Sequence, residues 1–300
     1  VKQMIRMFQG KDPIQAAEVV FRSIITNEKD PAYGDVSKTI SALTSSIQRV
    51  DAVGLTPKEI TKLVYRLILV NCHTIKAAIV FNEPSLCKYE EPLLLGIIDT
   101  VCKLLAQKHY ALFLHKFKDQ DAEFQEAQRK FSQMNVMELL QIPKAHFPFT
   151  NTYDKPMSCL RLIEKTAVVT TMLNRLVDVE KEIHQSVECA NNGVAPNTFD
   201  ADALLAILQF LLIRSGIQHP FSIIAYIDSH FSARDYSTEY GFSLTTFSVA
   251  AQSVLQITNT ANPRNTVANE SPVFDSQIGM TSMTAPRISL PIHYMVANGM

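Results

Sequence analysis

The feature that most constrains the fold is a nearly continuous apolar run, LLAILQFLLI, from Leu204 to Ile213. The run is about half as long as a segment that crosses a bilayer, and no signal peptide precedes it. We therefore expect it to form a helix that other helices bury on most sides. Two aspartates, Asp200 and Asp202, stand directly before it. A helix start needs at most one of them as a cap, so the other requires a separate explanation.

Signals for helix starts recur along the rest of the chain. Asp12 precedes Pro13, and Thr56, Pro57 and Glu59 form a capping box with proline at the first helical position. Apolar residues follow each start at helical spacing, and no segment alternates like a strand for long. The sequence therefore predicts an all-α protein.

The distribution of these helices predicts three parts. Residues 1–107 are expected to form an N-terminal helical bundle, and residues 108–257 a layered α-helical domain. From residue 258 to residue 300 the composition shifts to Asn, Thr, Ser and Pro, which indicates a polar tail or linker. The N-terminal helices carry more apolar surface than an isolated bundle should expose, so we expect the bundle to pack on the second domain.

Composition excludes several classes of function. A formal net charge of −1 and scattered basic residues argue against a nucleic-acid partner. Five widely spaced cysteines, with no Cys-x-x-Cys pair and no zinc-ligand spacing, predict neither disulfides nor a metal site and favour the cytoplasm. The glycine-rich loops that bind phosphates are missing, so we expect no cofactor and no small-molecule substrate. Cys72 and His73 are neighbours in a helix and point to different faces, which argues against a hydrolase built on them.

The two aspartates are predicted to differ in role. Asp200 is the natural N-cap, because its carboxylate can accept a hydrogen bond from the amide of Asp202 or Ala203. Asp202 then lies in the first turn without a capping duty. Its ordinary interpretation is a residue that stabilises the helix dipole by about 0.3–1 kcal/mol.

The order of motifs from residue 200 onward suggests a family. The run DADALLAILQFLLIRSGIQHPFSIIAYI, followed after a short loop by YGFSLTTF, resembles the Vps-nine domain, an exchange domain that acts on early-endosomal GTPases of the Rab-five subfamily. Tyr226 and Ile227 match the end of that family's second helix. Gly241, Phe242 and Thr245 match the Gly-Tyr-x-x-Thr segment that opens its last helix. Fainter similarity extends the resemblance to about residues 108–257.

The resemblance implies a function and a set of site residues. The chain would be a guanine-nucleotide exchange factor, a protein that makes and breaks no covalent bond. The family's acidic finger falls on Asp202 and its capping serine falls on Asp200. The aromatic and the threonine of the last segment fall on Phe242 and Thr245, where they would contact the GTPase.

Apolar residues beside the finger would have to bind the switch segments of the GTPase. Leu204 and Phe247 are the candidates, and we expect them to be exposed together with Phe242. The resemblance further implies a cytoplasmic protein that is peripheral to early endosomes and reaches the membrane through partners.

Three departures from the family pattern keep a second hypothesis open. Ala206 stands where the family usually has proline, Ala203 replaces a second aspartate, and Phe242 lacks the hydroxyl of the family's tyrosine. The alternative function is a non-catalytic Rab-binding scaffold on the same fold.

Overall fold

Eleven α-helices make up most of the chain in the computed structural model, which describes residues 12–143, 146, 152–191, 193 and 199–260. Those residues contain no strand, so the predicted all-α class is confirmed. The helices of the N-terminal half are α1 (Pro13–Thr26), α2 (Tyr33–Gln48), α3 (Pro57–Asn82) and α4 (Glu90–Lys116). Those that follow are α5 (Lys118–Ser132), α6 (Val136–Leu139), α7 (Asp154–Ile163), α8 (Val169–Ala190), α9 (Ala201–Ser215), α10 (Pro220–Asp228) and α11 (Glu239–Thr260). Short 3₁₀ helices, Pro84–Tyr89 and Asp235–Ser237, precede α4 and α11.

The predicted helix starts are formed by local side-chain chemistry. Asp12 caps α1 by accepting the amide of Ile14 at 2.9 Å. At the start of α3, the Glu59 amide donates to Thr56 Oγ1 at 3.3 Å, and the Thr56 amide donates to Glu59 Oε2 at 2.8 Å. These reciprocal bonds satisfy amides that have no partner within the helix.

Helix α4 connects the two halves of the fold. Helices α1, α2 and α3 pack against it, and so do α5 and α10. Helix α1 approaches closely at Gly96, where a Cβ atom would lie 2.7 Å from Ala17 Cβ and 2.9 Å from the Glu18 amide nitrogen. The predicted domain boundary at residue 107 falls inside α4, and the division into domains stays a prediction.

An aromatic and imidazole cluster joins α3 and α4 to α10. The ring centroids of Tyr226 and His230 lie 4.8 Å apart, and His109 lies 5.1 Å from Tyr226. Beside the rings, the hydroxyls of Thr61 and Ser229 share a hydrogen bond of 2.6 Å. The N-terminal helices therefore pack on the second half, as predicted.

Helix α9 occupies the centre of the second half. Helices α5, α7, α8 and α11 pack around it, and its apolar run is buried along most of its length. Helix α11 continues to Thr260, three residues into the predicted tail. The remainder of that tail, from residue 261, lies outside the described residues, as does the start of the chain before residue 12.

Two buried histidines, His109 and His230, lie in the aromatic and imidazole cluster, which we call the junction, and both are held neutral. Burial lowers the pKa of His109 well below its usual value, and it lowers the pKa of His230 from 6.5 to about 4. A hydrogen bond of 2.7 Å joins His230 Nδ1 to the Tyr226 carbonyl, which requires the proton to sit on that nitrogen. Both imidazoles are therefore uncharged near neutral pH.

This neutrality predicts that the fold loses stability in mild acid. The unfolded chain binds protons as the pH falls below 6.5, whereas folded His230 stays neutral until about 4, so stability is lost across that window. Between about pH 7.5 and about pH 5.5, His230 should contribute a loss of about 1.4 kcal/mol in the free energy of unfolding. Urea unfolding of the wild type, His230→Asn and the exposed control His73→Asn measures this. His230→Asn should flatten the pH dependence and His73→Asn should not. An unchanged slope in His230→Asn would show that the imidazole is not held neutral.

Candidate functional site

The start of α9 is fixed by its N-cap and by the residue before it. The Asp200 carboxylate accepts the amide of Ala203 at 2.9 Å, with extended backbone angles at Asp200. The ring of Phe199 stands edge-on to two imidazoles, His146 at 5.5 Å and His184 at 4.9 Å between centroids. The first turn of α9 therefore has a defined position relative to α8.

Asp202 lies in this first turn with an exposed side chain. Its carboxylate forms no hydrogen bond or ion pair with any other described residue. The carboxylate of Asp200, in contrast, accepts the capping hydrogen bond from Ala203. The structure thus places an anionic group at the surface of a helix start that does not need it.

The expectation that Leu204 is exposed is wrong. Its side chain is only 5% exposed and belongs to the core. Leu204 and Phe199 occupy the two positions of a hydrophobic staple, one before the cap and one four residues after it, which explains why Leu204 turns inward. Leu205 and Ala206 are partly exposed and follow Asp202 by three and four residues, so they share its face of α9.

The far end of α9 is held by side chains from α5 and α7. Gln128 Nε2 donates to the carbonyls of Leu212 at 2.7 Å and Ile217 at 3.1 Å. Arg161 Nε donates to the carbonyl of Ser215 at 2.8 Å. These bonds satisfy carbonyls that a helix end leaves without partners, so the axis of α9 is anchored at both ends.

The start of α10, after a four-residue turn, is capped from a distance. Asp121 on α5 is buried, and its carboxylate accepts from the Phe221 amide at 2.9 Å and the Ser222 hydroxyl at 2.5 Å. Burial raises the pKa of Asp121, while these hydrogen bonds lower it. Glu164 Oε1 accepts the amides of residues 218–219, each at 2.7 Å. The turn between α9 and α10 is thereby bound to α5 and α7.

Helix α11 begins at a contact that requires glycine. A Cβ atom on Gly241 would lie 2.3 Å from Tyr236 Cα and 2.6 Å from the Asp235 carbonyl oxygen, so any larger residue would push the 3₁₀ helix away. The amide of the next residue, Phe242, donates to the Thr238 carbonyl at 3.1 Å. The Gly-Phe pair is therefore placed by backbone packing.

Two hydrogen bonds attach the same turn to α8. The Ser243 hydroxyl donates to Glu180 Oε2 at 2.6 Å, and the Tyr240 hydroxyl donates to Asn174 Oδ1 at 2.8 Å. Burial raises the pKa of Glu180, and the bond from Ser243 opposes that rise. Ser243 is buried, whereas its neighbour Phe242 is exposed, so Phe242 lies at the outer side of the helix.

The outward face of α11 is partly apolar. Phe242 is 54% exposed, and Thr245 and Val249 are exposed on the same side at spacings of three and seven residues. The expectation that Phe247 is exposed is wrong, because its ring is 1% exposed and lies in the core. Phe247 follows Phe242 by five residues, which places it on the opposite side of the helix.

Two cavities among the described residues lie away from the start of α9. One of about 70 Å³ lies at the junction and is lined by Tyr65, Cys102 and His109. An open polar groove of about 420 Å³ runs between α8 and the start of α11, where Lys181 and Glu239 form an ion pair of 3.1 Å. No three His, Cys, Asp or Glu side chains in the described ranges cluster closely enough to hold a metal ion.

These helices coincide with a known domain. Residues 153–259 match the family model of the Vacuolar sorting protein 9 (VPS9) domain. This part of the chain is similar to VPS9 domains. The match covers about a third of the chain and runs from the residue before α7 almost to the end of α11. The resemblance seen in the sequence is confirmed over residues 153–257, and its fainter part, residues 108–152, lies outside the match. No curated protein matches the chain at a significant level. The VPS9 domain implies guanine-nucleotide exchange activity toward Rab GTPases, a catalysis without covalent chemistry.

The structure divides the predicted contact residues into a buried group, Leu204 and Phe247, and an exposed group. Asp202, Phe242 and Thr245 are exposed on α9 and α11, two helices of the VPS9 domain that pack against each other. Sequence reasoning missed Leu205 and Val249. A helical count from Asp202 and from Phe242 would have found both, at three and seven residues respectively.

The division between Asp200 and Asp202 predicts different effects on stability. Asp200→Ala removes the cap and should lower the free energy of unfolding by about 0.5–2 kcal/mol. Asp202→Ala removes at most a favourable dipole interaction and should cost less than about 1 kcal/mol. Urea unfolding of both variants measures this. A larger loss for Asp202→Ala than for Asp200→Ala would overturn the assignment of the cap.

Proposed function

We propose that this chain is a guanine-nucleotide exchange factor for Rab-five-type GTPases, with Asp202 as an acidic finger that displaces Mg²⁺ and phosphate. The observation that carries the proposal is the exposed Asp202 carboxylate at the start of a VPS9-domain helix that Asp200 already caps. A free anion on a rigid helix start is suited to entering a partner's cation-rich site.

The chemistry of the finger follows from how a GTPase holds its nucleotide. A phosphate-binding loop contributes a lysine that pairs with the phosphates, and Mg²⁺ bridges the phosphates to the switch segments. A carboxylate inserted there competes with phosphate for the lysine and repels the phosphate oxygens. The affinity for the nucleotide then falls and GDP leaves faster.

The energy for inserting the finger has to come from contacts elsewhere. Phe242, Thr245 and Val249 offer a partly apolar face on α11, and Leu205 offers a smaller one beside Asp202 on α9. These residues would bind the switch segments and offset the loss of nucleotide contacts. The rigid anchoring of both helices reduces the entropy that such a complex costs.

The proposed setting is the cytoplasmic face of early endosomes, where GTPases of this subfamily act. The exchange factor would be peripheral to the membrane, would need no cofactor or metal of its own, and would have the GTPase as its partner. A non-catalytic Rab-binding scaffold is the alternative, and the missing hydroxyl at Phe242 and the alanine at Ala206 favour it.

Exchange should depend on the Asp202 charge. Asp202→Asn keeps the size of the side chain and removes its charge, so release of a fluorescent GDP analogue from a Rab-five-type GTPase should slow at least about tenfold, equivalent to about 1.4 kcal/mol. Asp35→Asn is the matched control, because Asp35 is also an exposed first-turn aspartate, on α2. Equal rates for wild type and Asp202→Asn would contradict the finger. Binding without release by the wild type would favour the scaffold.

The aromatic ring of Phe242 should act mainly by packing. Phe242→Tyr should raise catalytic efficiency by about three- to tenfold at most, because one added hydrogen bond contributes about 0.5–1.5 kcal/mol. Phe242→Ala should be far worse, since truncating an interface aromatic commonly costs about 2 kcal/mol or more. The three proteins are compared on one GTPase. Activity that appears only with tyrosine would make the natural chain a scaffold, and a native rate for Phe242→Ala would remove Phe242 from the interface.

A further inference from the structure

The outward face of α3 carries an apolar stripe, defined here as Leu63, Val70, Ala77 and Phe81. All four are exposed, Val70 by 62% and Phe81 by 84%. Their spacings of seven, seven and four residues keep them on one side of the helix. At 1.5 Å per residue the stripe is about 27 Å long.

Helix α3 is unusual in being both very apolar and mostly uncovered. Among the described residues it is the one helix with the length and composition to cross a bilayer, yet only 28% of its most apolar 18-residue window is buried. Its other face, including Ile60, Val64 and Ile68, is packed in the core. These contacts and the capping box attach α3 to the rest of the protein, so the stripe is a surface feature of a folded unit.

Cations accompany the stripe at its N-terminal end. Lys62 and Arg66 are exposed one residue before Leu63 and three residues after it, and neither forms an ion pair within the described ranges. The acidic residue of this helix, Glu59, is committed to the Thr56 cap. No further Asp or Glu occurs in α3, so cations outnumber acids among its exposed residues.

We propose that this face of α3 docks on the surface of an anionic lipid bilayer. A helix that presents a convex apolar stripe flanked by Lys and Arg lies in the interface plane, with its apolar side chains among the acyl chains and its cations among anionic headgroups.

Charge complementarity favours lipid over a second copy of the chain. In a symmetric pair of stripes, the exposed cations of each copy, among them Lys62 and Arg66, would meet only one carboxylate of α3 in the other copy, Glu59, which the Thr56 cap already holds. Anionic headgroups supply the charge that this face lacks. The inference does not rest on the proposed exchange activity, although it would place an exchange factor at a membrane.

Vesicle co-sedimentation of the full chain tests the inference. The probes are vesicles of phosphatidylcholine alone and vesicles that also contain phosphatidylserine. We expect binding to the phosphatidylserine vesicles, at least about tenfold weaker binding to phosphatidylcholine alone, and release when salt is raised to about 0.5 M. Equal partition into both kinds of vesicle, or none into either, would overturn the proposal.

Two variants locate the binding surface. Val70→Ser with Phe81→Ser shortens the apolar stripe, and Lys62→Glu with Arg66→Glu reverses the charge beside it. Each should weaken vesicle binding by at least about tenfold.

Matched controls change exposed residues of the same types away from the stripe. Val53→Ser with Met134→Ser is the apolar control, and Lys29→Glu with Lys38→Glu is the charge control. Neither control should alter vesicle binding by more than about twofold. Equal losses in the stripe variants and in the controls would mean that net charge or hydrophobicity, not α3, determines binding.

Three further measurements exclude other occupants and other causes. Circular dichroism verifies that each variant is folded, and Val70→Ala with Phe81→Leu serves as a milder version should the serine variant unfold.

Analytical ultracentrifugation of the wild type identifies a second copy as the occupant if a dimer forms and the stripe variants abolish it, which would overturn the proposal. GDP release from a GTPase in solution should be the same for the stripe variants and the wild type, so failure of the exchange proposal and failure of the lipid proposal give different results.

Discussion

The buried carboxylate of Asp121 fixes the turn on which the geometry of the VPS9 domain depends. Peptide groups at the end of α9 and the start of α10 have no partners in their own helices, and side chains of α5 and α7 supply them. Without these bonds water would have to reach the turn, and the tilt of α9 would be set only by apolar contacts, which are not directional. Because α9 is about 22 Å long, a tilt of about 10° at Gly216 would move Asp202 by about 4 Å, more than the length of a hydrogen bond.

Local chemistry made some features of the candidate site predictable and left others out of reach. Asp200 could be assigned from sequence because a cap depends on residues within one turn. The orientation of Leu204 could not, because α9 is apolar on nearly every side and its spacing marks no outward face. That of Phe247 follows from its spacing of five residues once Phe242 is known to be exposed. Burial there is decided by what packs against the helix. In α11 the bond between Ser243 and Glu180 marks the inward side, and it joins residues 63 positions apart.

The all-α class and the helix starts were equally accessible from the pattern of caps and apolar residues. The contact between the two halves at the junction could not be predicted in this way. Nothing in the spacing of His109 and His230 shows that a helix of the N-terminal half would bring them to 5.3 Å from each other. A boundary drawn where composition changes little, near residue 107, therefore fell inside the longest helix of the described chain.

The continuity of α4 bears on which part of the chain folds as one cooperative unit. A fragment limited to residues 153–259, as the family match delimits it, would lack Asp121, Gln128 and the α4 rings that cover Tyr226. It would expose the hydroxyl of Ser222 and the amides at the start of α10, together with an aromatic surface suited to aggregation. The segment that the family match delimits is thus smaller than the segment that unfolds in a single transition. A fragment that folds on its own would therefore have to include α4 and α5 as well.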